Sequence, residues 1–255
     1  YKATATNFTD RGQLGPVLTL PVSDPIARAL GAQDLEAEKS LNYSLGFTFA
    51  PVSDFSLAVD LFQIKVKDRI TISEQLSGTD LTNFLQTQFG LTNVDGVNFF
   101  TNAVDTLTKG VDVIANYRHE LGAGALKLTA AYTYARTTVD GVKATPAELQ
   151  ALGLNDVLFG VEERNTLEDA APRTKTILSA EWSDLNWALT GRLTRYGSAV
   201  RVFDFGGGFE PRQEYGAKSQ LDLEAERQLT AKLSIAFGGT NVLDTGAPFY
   251  DTYET

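Results

Sequence analysis

The sequence predicts an all-β chain, an antiparallel sheet of about eight strands forming part of a larger transmembrane β-barrel. Three observations predict it. Apolar and polar residues alternate with period two along one stretch after another, so each strand has one apolar and one polar face. The connections sort strictly by length into short turns and long loops. Aromatic residues gather at the ends of the apolar faces, beside the short turns above all. Outer-membrane barrels have this loop arrangement, with short periplasmic turns and long extracellular loops.

The strands follow in order. Leu41, Tyr43, Leu45, Phe47 and Phe49 alternate with Asn42, Ser44, Gly46 and Thr48. Phe55, Leu57, Val59 and Leu61 continue the pattern until the parity switches at Phe62, Ile64 and Val66, where a bulge or an exit from the layer that set the pattern is expected. Val111, Val113, Ala115 and Tyr117 oppose Asp112 and Asn116, with Ile114 placed less cleanly. Leu126, Leu128, Ala130, Tyr132 and Tyr134 oppose Lys127 and Thr129. Four further runs follow around Leu178, Leu189, Leu223 and Ile235, so that strands are expected near 38–50, 54–72, 104–119, 125–138, 173–183, 186–197, 218–229 and 232–241. Short turns fall at PVSD, ELGAG, SDL and Thr230–Ala231.

Long connections occupy roughly 73–103, 139–172 and 198–217, with another before the first strand. They carry helix signals. In DPIARALG, Asp24 is an N-cap, Pro25 suits the first helical position and Gly31 ends the turn. In TPAELQALG, Thr145 and Glu148 are spaced as a capping box, with Gly153 as the stop. A third helix is expected in Asp80–Gly90.

Composition narrows the function classes. Net charge is −10, which excludes a phosphate-rich nucleic acid as partner. There is no cysteine, hence no disulfide and no thiolate chemistry. No apolar run approaches the length of a transmembrane helix, but alternating barrel strands escape that criterion. The chain opens at Tyr1, contains no methionine, and reads as processed or as a fragment. It begins and ends on the long-loop side, so closing strands are expected from sequence beyond these residues.

The apolar run 41–49 extends about 30 Å, and tilted by about 40° it covers roughly the 25 Å apolar band of an outer-membrane barrel. Val111, Val113, Tyr117, Leu126, Leu128, Tyr132, Trp182 and Trp187 are therefore expected to face lipid. Asp112, Asn116, Lys127, Glu181, Arg192, Asp222 and Glu224 are expected to face the lumen. Phe49 and Phe55, Trp182 and Trp187, and Tyr117 would form one aromatic girdle, and Tyr43, Tyr134 and Tyr196 the other.

Four segments carry a family resemblance: SLNYSLGFTFAPVSDFSLAVDLFQIKVKDRI (40–70), FFTNAVDTLTKGVDVIANYR (99–118), APRTKTILSAEW (171–182) and GGTNVLD (238–244). Together they resemble the barrel of TonB-dependent outer-membrane receptors, at approximately strands fourteen to twenty-one of twenty-two. The resemblance implies one partial barrel domain over 1–255, with the plug domain, TonB box and terminal strand lying outside these residues. It further implies ligand-gated import of a scarce nutrient (siderophore-iron, cobalamin or an oligosaccharide), energised by TonB with ExbB and ExbD. Outer-membrane lipid and lipopolysaccharide would surround the barrel. The alternatives are a passive porin-like or structural barrel, and a soluble β-rich carbohydrate-binding or hydrolytic domain.

No enzymatic site, cofactor or metal is expected. His119, the single histidine, reads as a turn residue. The triple glycine at 206–208 lacks the context of a phosphate-binding loop. Asp60, Glu181, Asp222 and Glu224 have no spacing that fixes a hydrolytic pair. Asn241 and Asp244 are expected to bond at a strand end. Cargo contacts are expected in the long loops, at Phe99, Phe100, Asn102, Arg201, Phe203, Phe209, Arg212 and Tyr215.

Overall fold

The computed structural model describes residues 2–8, 14–155, 158–205 and 209–246. Eight strands form one uninterrupted antiparallel meander: β3 (Lys39–Val52), β4 (Phe55–Ile72), β6 (Gly96–Leu121), β7 (Gly124–Val142), β8 (Thr174–Ser183), β9 (Trp187–Tyr196), β12 (Lys218–Thr230) and β13 (Leu233–Gly239). These are the predicted strands, several of them longer. Among the described residues, β3 pairs only with β4 and β13 only with β12, so the sheet is open at both edges.

Register carries the alternation across the whole sheet. Phe47, Val59, Val113 and Tyr132 lie side by side in one row. Phe55, Tyr117, Leu128, Ala180, Gly191 and Leu223 form another. Because the side-chain period is two, every such row belongs to one face. That face is uncovered: Leu45 is 71% exposed and Phe237 85%, and among the described residues no second sheet packs upon it.

The hydrophobic core lies elsewhere, in the connections. Leu20 of β2 (Leu14–Leu20), Ile26 and Ala27 of α1 (Pro25–Ala29), and Leu30 pack with Leu76 of β5 (Leu76–Ser77). Leu81 and Leu85 of α2 (Thr79–Phe89) and Leu149 of α3 (Ala147–Ala151) join them, as do Val97, Phe99 and Val104 from β6. β2 runs parallel to the start of β6, and β1 (Ala3–Phe8) pairs antiparallel with β2. The long connections thus build a packed cap at one end of the sheet.

Helix starts follow the expected chemistry in part. Asp24 accepts a hydrogen bond from Ile26 N at 2.9 Å, and Gly31 takes φ +90° where a side chain would be strained. At α3 the expected capping box does not form: Pro146 is the N-cap, and the Thr145 carbonyl instead accepts from Gln150 Nε2. α2 ends at Gly90 in the left-handed conformation. A fourth helix, α4 (Val161–Glu168), has no apolar periodicity and was not expected.

Two expectations about faces are corrected by register. No bulge lies at Phe62, since β3 and β4 pair without a shift from Leu57 to Lys67. Phe62 simply turns to the polar face, and its ring lies where a Cβ on Gly110 would come within 2.2 Å. The irregularity comes later, at Val66 to Arg69, with Asp68 at φ +55°. Tyr196 also shares the polar face, because it pairs with Lys175 and Lys218 and not with the Leu189–Leu193 row. Its ring sits 5.3 Å from Lys175 Nζ, so it does not join the outer girdle.

Candidate functional site

Two surfaces carry chemistry: the polar face of the sheet and one corner of the cap. On the polar face, Thr133 Oγ1 donates to Asp112 Oδ1 at 2.6 Å, and Thr129 Oγ1 to Asn116 Oδ1 at 3.0 Å. Lys127 and Glu181 form an ion pair at 3.6 Å. Asp222 accepts from Asn241 N at 2.8 Å, and Asn241 in turn closes the strand-end turn by bonding Thr245. Asn241 and Asp244 both take left-handed φ, at +51° and +49°. A cleft of about 640 Å³ is lined by Glu181, Thr190, Arg192, Asp222 and Glu224. A second, of about 310 Å³, lies beside Asp54, Asn116, Arg118 and Lys127. All seven residues expected in the lumen therefore share this one face.

The opposite face gathers Val111, Val113, Tyr117, Leu126, Leu128, Tyr132, Trp182 and Trp187, none of them buried. Aromatics mark its short-turn end. Trp182 Nε1 donates to the Leu121 carbonyl at 3.2 Å, Arg227 lies 5.0 Å from the Trp187 ring, and His119 stacks on Tyr117. His119 is exposed in this cluster, beside the two-residue turn at Gly122 and Ala123. Asp184 closes the neighbouring turn, accepting from Asn186 N and Trp187 N.

The loop residues expected to meet cargo divide. Phe99 is 1% exposed and packs within the cap core. Asn102, at 7%, ties the chain together by accepting from Glu36 N and donating to Glu36 O. Phe100 is exposed on β6, and Arg212 is exposed on β11 (Arg212–Tyr215) beside half-buried Tyr215. Arg201, on β10 (Ala199–Val202), converges with aromatic neighbours: its guanidinium lies 5.7 Å from the Phe203 ring. Phe203 stacks on Phe205, and Phe205 on half-exposed Phe209. Phe205 escaped the sequence reading, although alternate aromatics at 203 and 205 are the signal that would have found it. The triple glycine at 206–208 lies outside the described residues.

α4 positions this corner. Asn165, 7% exposed, donates to Val200 O and accepts from Val202 N, both at 2.9 Å. Glu162 accepts from Arg201 and from Asp204 N. Glu74 and Glu163 bring their carboxyl groups together nearby, each with one buried oxygen lacking a hydrogen-bond partner. Burial and then the facing Glu163 push the Glu74 carboxyl up to about 9. Burial likewise raises Glu163. Glu74 is thus held protonated at pH 7, and its proton relieves the repulsion between the two facing carboxyl groups. Among the described residues, no three potential metal ligands converge.

The family model described as TonB dependent receptor-like, beta-barrel, matches residues 3–242. No curated protein matches. Among solved structures, a ferric enterobactin receptor (PfeA) mutant from Pseudomonas aeruginosa is similar at 18% identity and TM-score 0.57, over 96% of this chain and 30% of that one. The outer membrane transporter YddB from Escherichia coli is similar at 10% identity and TM-score 0.58, over 83% and 30%. The pyoverdine receptor FpvA from Pseudomonas aeruginosa PAO1 is similar at 15% identity and TM-score 0.54, over 84% and 26%. The chain thus spans less than a third of the length of these structures. An uncovered apolar face, an acidic and hydroxyl-rich opposite face and the family match agree: the chain belongs to the TonB-dependent receptors, a transporter and receptor family, as part of their outer-membrane β-barrel.

Proposed function

We propose that this chain supplies eight adjacent strands of a barrel that imports a scarce nutrient, with energy delivered through TonB, ExbB and ExbD. The observation that carries this reading is the eight-strand register, in which one face stays apolar and uncovered while the core sits in the cap. In that reading Val111, Val113, Tyr117, Leu126, Leu128, Tyr132, Trp182 and Trp187 contact outer-membrane lipid and lipopolysaccharide. Asp112, Asn116, Lys127, Glu181, Arg192, Asp222 and Glu224 line a hydrated lumen in which a plug domain would sit. Binding and passage are the activity, without covalent chemistry.

The cap corner around Arg201, Phe203, Phe205 and Phe209 is the proposed cargo-facing surface of this portion, with Phe100, Arg212 and Tyr215 beside it. Stacked rings with a guanidinium favour flat, anionic, aromatic groups over sugars, whose hydroxyls need more hydrogen-bonding side chains. A siderophore-iron chelate is therefore the preferred cargo, ahead of cobalamin or an oligosaccharide. Two of the similar structures are named as receptors for ferric enterobactin and for pyoverdine. The test is uptake of labelled iron chelates and labelled oligosaccharides by cells whose only receptor is the full-length protein. Iron uptake that requires TonB is the expected result. Uptake independent of TonB would make the barrel a passive pore, and uptake of the oligosaccharide alone would overturn the cargo class.

A further inference from the structure

Register places a row of four residues, Tyr43, Gln63, Lys109 and Arg136, where the apolar runs of β6 and β7 give way to charge on the cap side. The row next to it, on the same face, is Leu45, Leu61, Val111 and Tyr134. Lys109 and Arg136 are direct cross-strand partners, so two cations stand about 5 Å apart at Cβ, an arrangement that repels. Both are exposed, and neither makes an ion pair among the described residues. Asp140 lies within electrostatic reach of Lys109, but its carboxylate already bonds Lys65 Nζ at 2.6 Å. In a chain with ten negative charges in excess, this unneutralised pair stands out.

The two cations line a groove of about 540 Å³, with Leu61, Val111 and Tyr134 on one side of them along the strands and Leu107 and Thr138 on the cap side. A small hydrated anion would neutralise the cations and leave the apolar walls unmatched. An apolar molecule would cover the walls and leave the repulsion. An amphiphile with a phosphate head and an acyl tail satisfies both. Arg offers the phosphate a two-pronged hydrogen bond, and Lys supplies a point charge across the strand pair.

We propose that Lys109 and Arg136 hold the phosphate of one phosphorylated lipid of the outer leaflet, with an acyl chain lying along Leu61, Val111 and Tyr134. The inference rests on the lipid-facing reading given above and adds to it a fixed binding site.

The test uses the full-length protein extracted from outer membranes in mild detergent and exchanged repeatedly into fresh detergent. Native mass spectrometry and a phosphorus assay then follow the lipid that remains. The wild type is expected to keep one phosphorylated lipid, which leaves about tenfold faster or more from the Lys109→Gln, Arg136→Gln double variant. In lipid-free detergent that variant should resist unfolding at least as well as wild type, because its repulsion is gone. Equal retention by the two proteins overturns the site. So does equally firm retention of an enzymatically dephosphorylated lipid, displacement by inorganic phosphate alone, or occupation of the groove by a second barrel. Val113→Arg, run in parallel, separates the two levels. If it assembles as wild type does, the lipid-facing reading itself has failed; if it is impaired while both proteins keep their lipid equally, only this site has failed.

Discussion

Val113 offers the sharpest test of which solvent surrounds the sheet. It lies in the row Phe47, Val59, Val113, Tyr132, all on the uncovered face. The apolar run on β7 extends from Tyr134 to Leu126, about 30 Å of strand and about 23 Å of bilayer once the strand tilts by about 40°. Its centre is the Ala115–Ala130 row, which puts Val113 one row from the middle and Leu128 one row away on the other side. Arginine at the midplane of a barrel costs about 2–4 kcal/mol and little near the interface, so Val113→Arg and Leu128→Arg should each cost about 2–3 kcal/mol. Asp112→Arg, one residue away on the polar face, should cost only about 1 kcal/mol for its lost bond from Thr133. Folding of the full-length protein into lipid vesicles, followed in urea by heat-modifiable migration, measures all three. If Val113→Arg and Asp112→Arg cost the same, or if Val113→Arg costs nothing, the uncovered face does not meet lipid.

Other predictions concern the cap. Glu74 and Glu163 keep protons in the folded state that ordinary glutamates release, so the unfolded chain binds fewer protons and local stability falls as pH rises. For Glu74 the window runs from its ordinary value of 4.5 to about 9; amide hydrogen exchange in α4 and residues 73–77 should quicken across it and flatten in Glu74→Gln. Asn165→Ala leaves Val200 O and Val202 N without their partner and should loosen the β10–β11 hairpin by about 1–3 kcal/mol, read by hydrogen exchange at Val202. Asp24→Ala removes the α1 cap and should cost the cap about 1 kcal/mol in a denaturant titration, with no effect on membrane assembly. Phe209→Ala should weaken iron-chelate binding to whole cells by about tenfold while leaving assembly unchanged, the loss expected from one stacked ring.

The strands of the apolar band were legible because a two-sided environment imprints period two on the residues themselves. That signal ends where the environment changes. β6 begins at Gly96, ahead of the expected start near 104, because Asn102, Ala103 and Val104 are buried one after another in the cap and interrupt the alternation. β2 was hidden for a related reason: its short apolar stretch acquires meaning only from pairing in parallel with β6, far along the chain. α4 carries no apolar stripe, and its ties run through Asn165 and Glu162 to Val200 and Arg201 and through Glu168 to Val139 of β7, which no local pattern announces. Tyr196 was assigned to the wrong face by its aromatic character, where counting its parity from Leu193 would have put it beside Lys175.

The sequence by itself therefore determined the eight strands of the meander and which residues share its apolar and polar faces, since these depend on spacing along one strand and on residue type. Only the tertiary structure decided that the hydrophobic core belongs to the connections, that Phe99 and Asn102 are buried, and that Phe205 joins Phe203 and Phe209. It also set Lys109 opposite Arg136, and Glu74 against Glu163. Each of these depends on register or packing between segments distant in the chain, where the free energy lies in contacts that local periodicity does not encode.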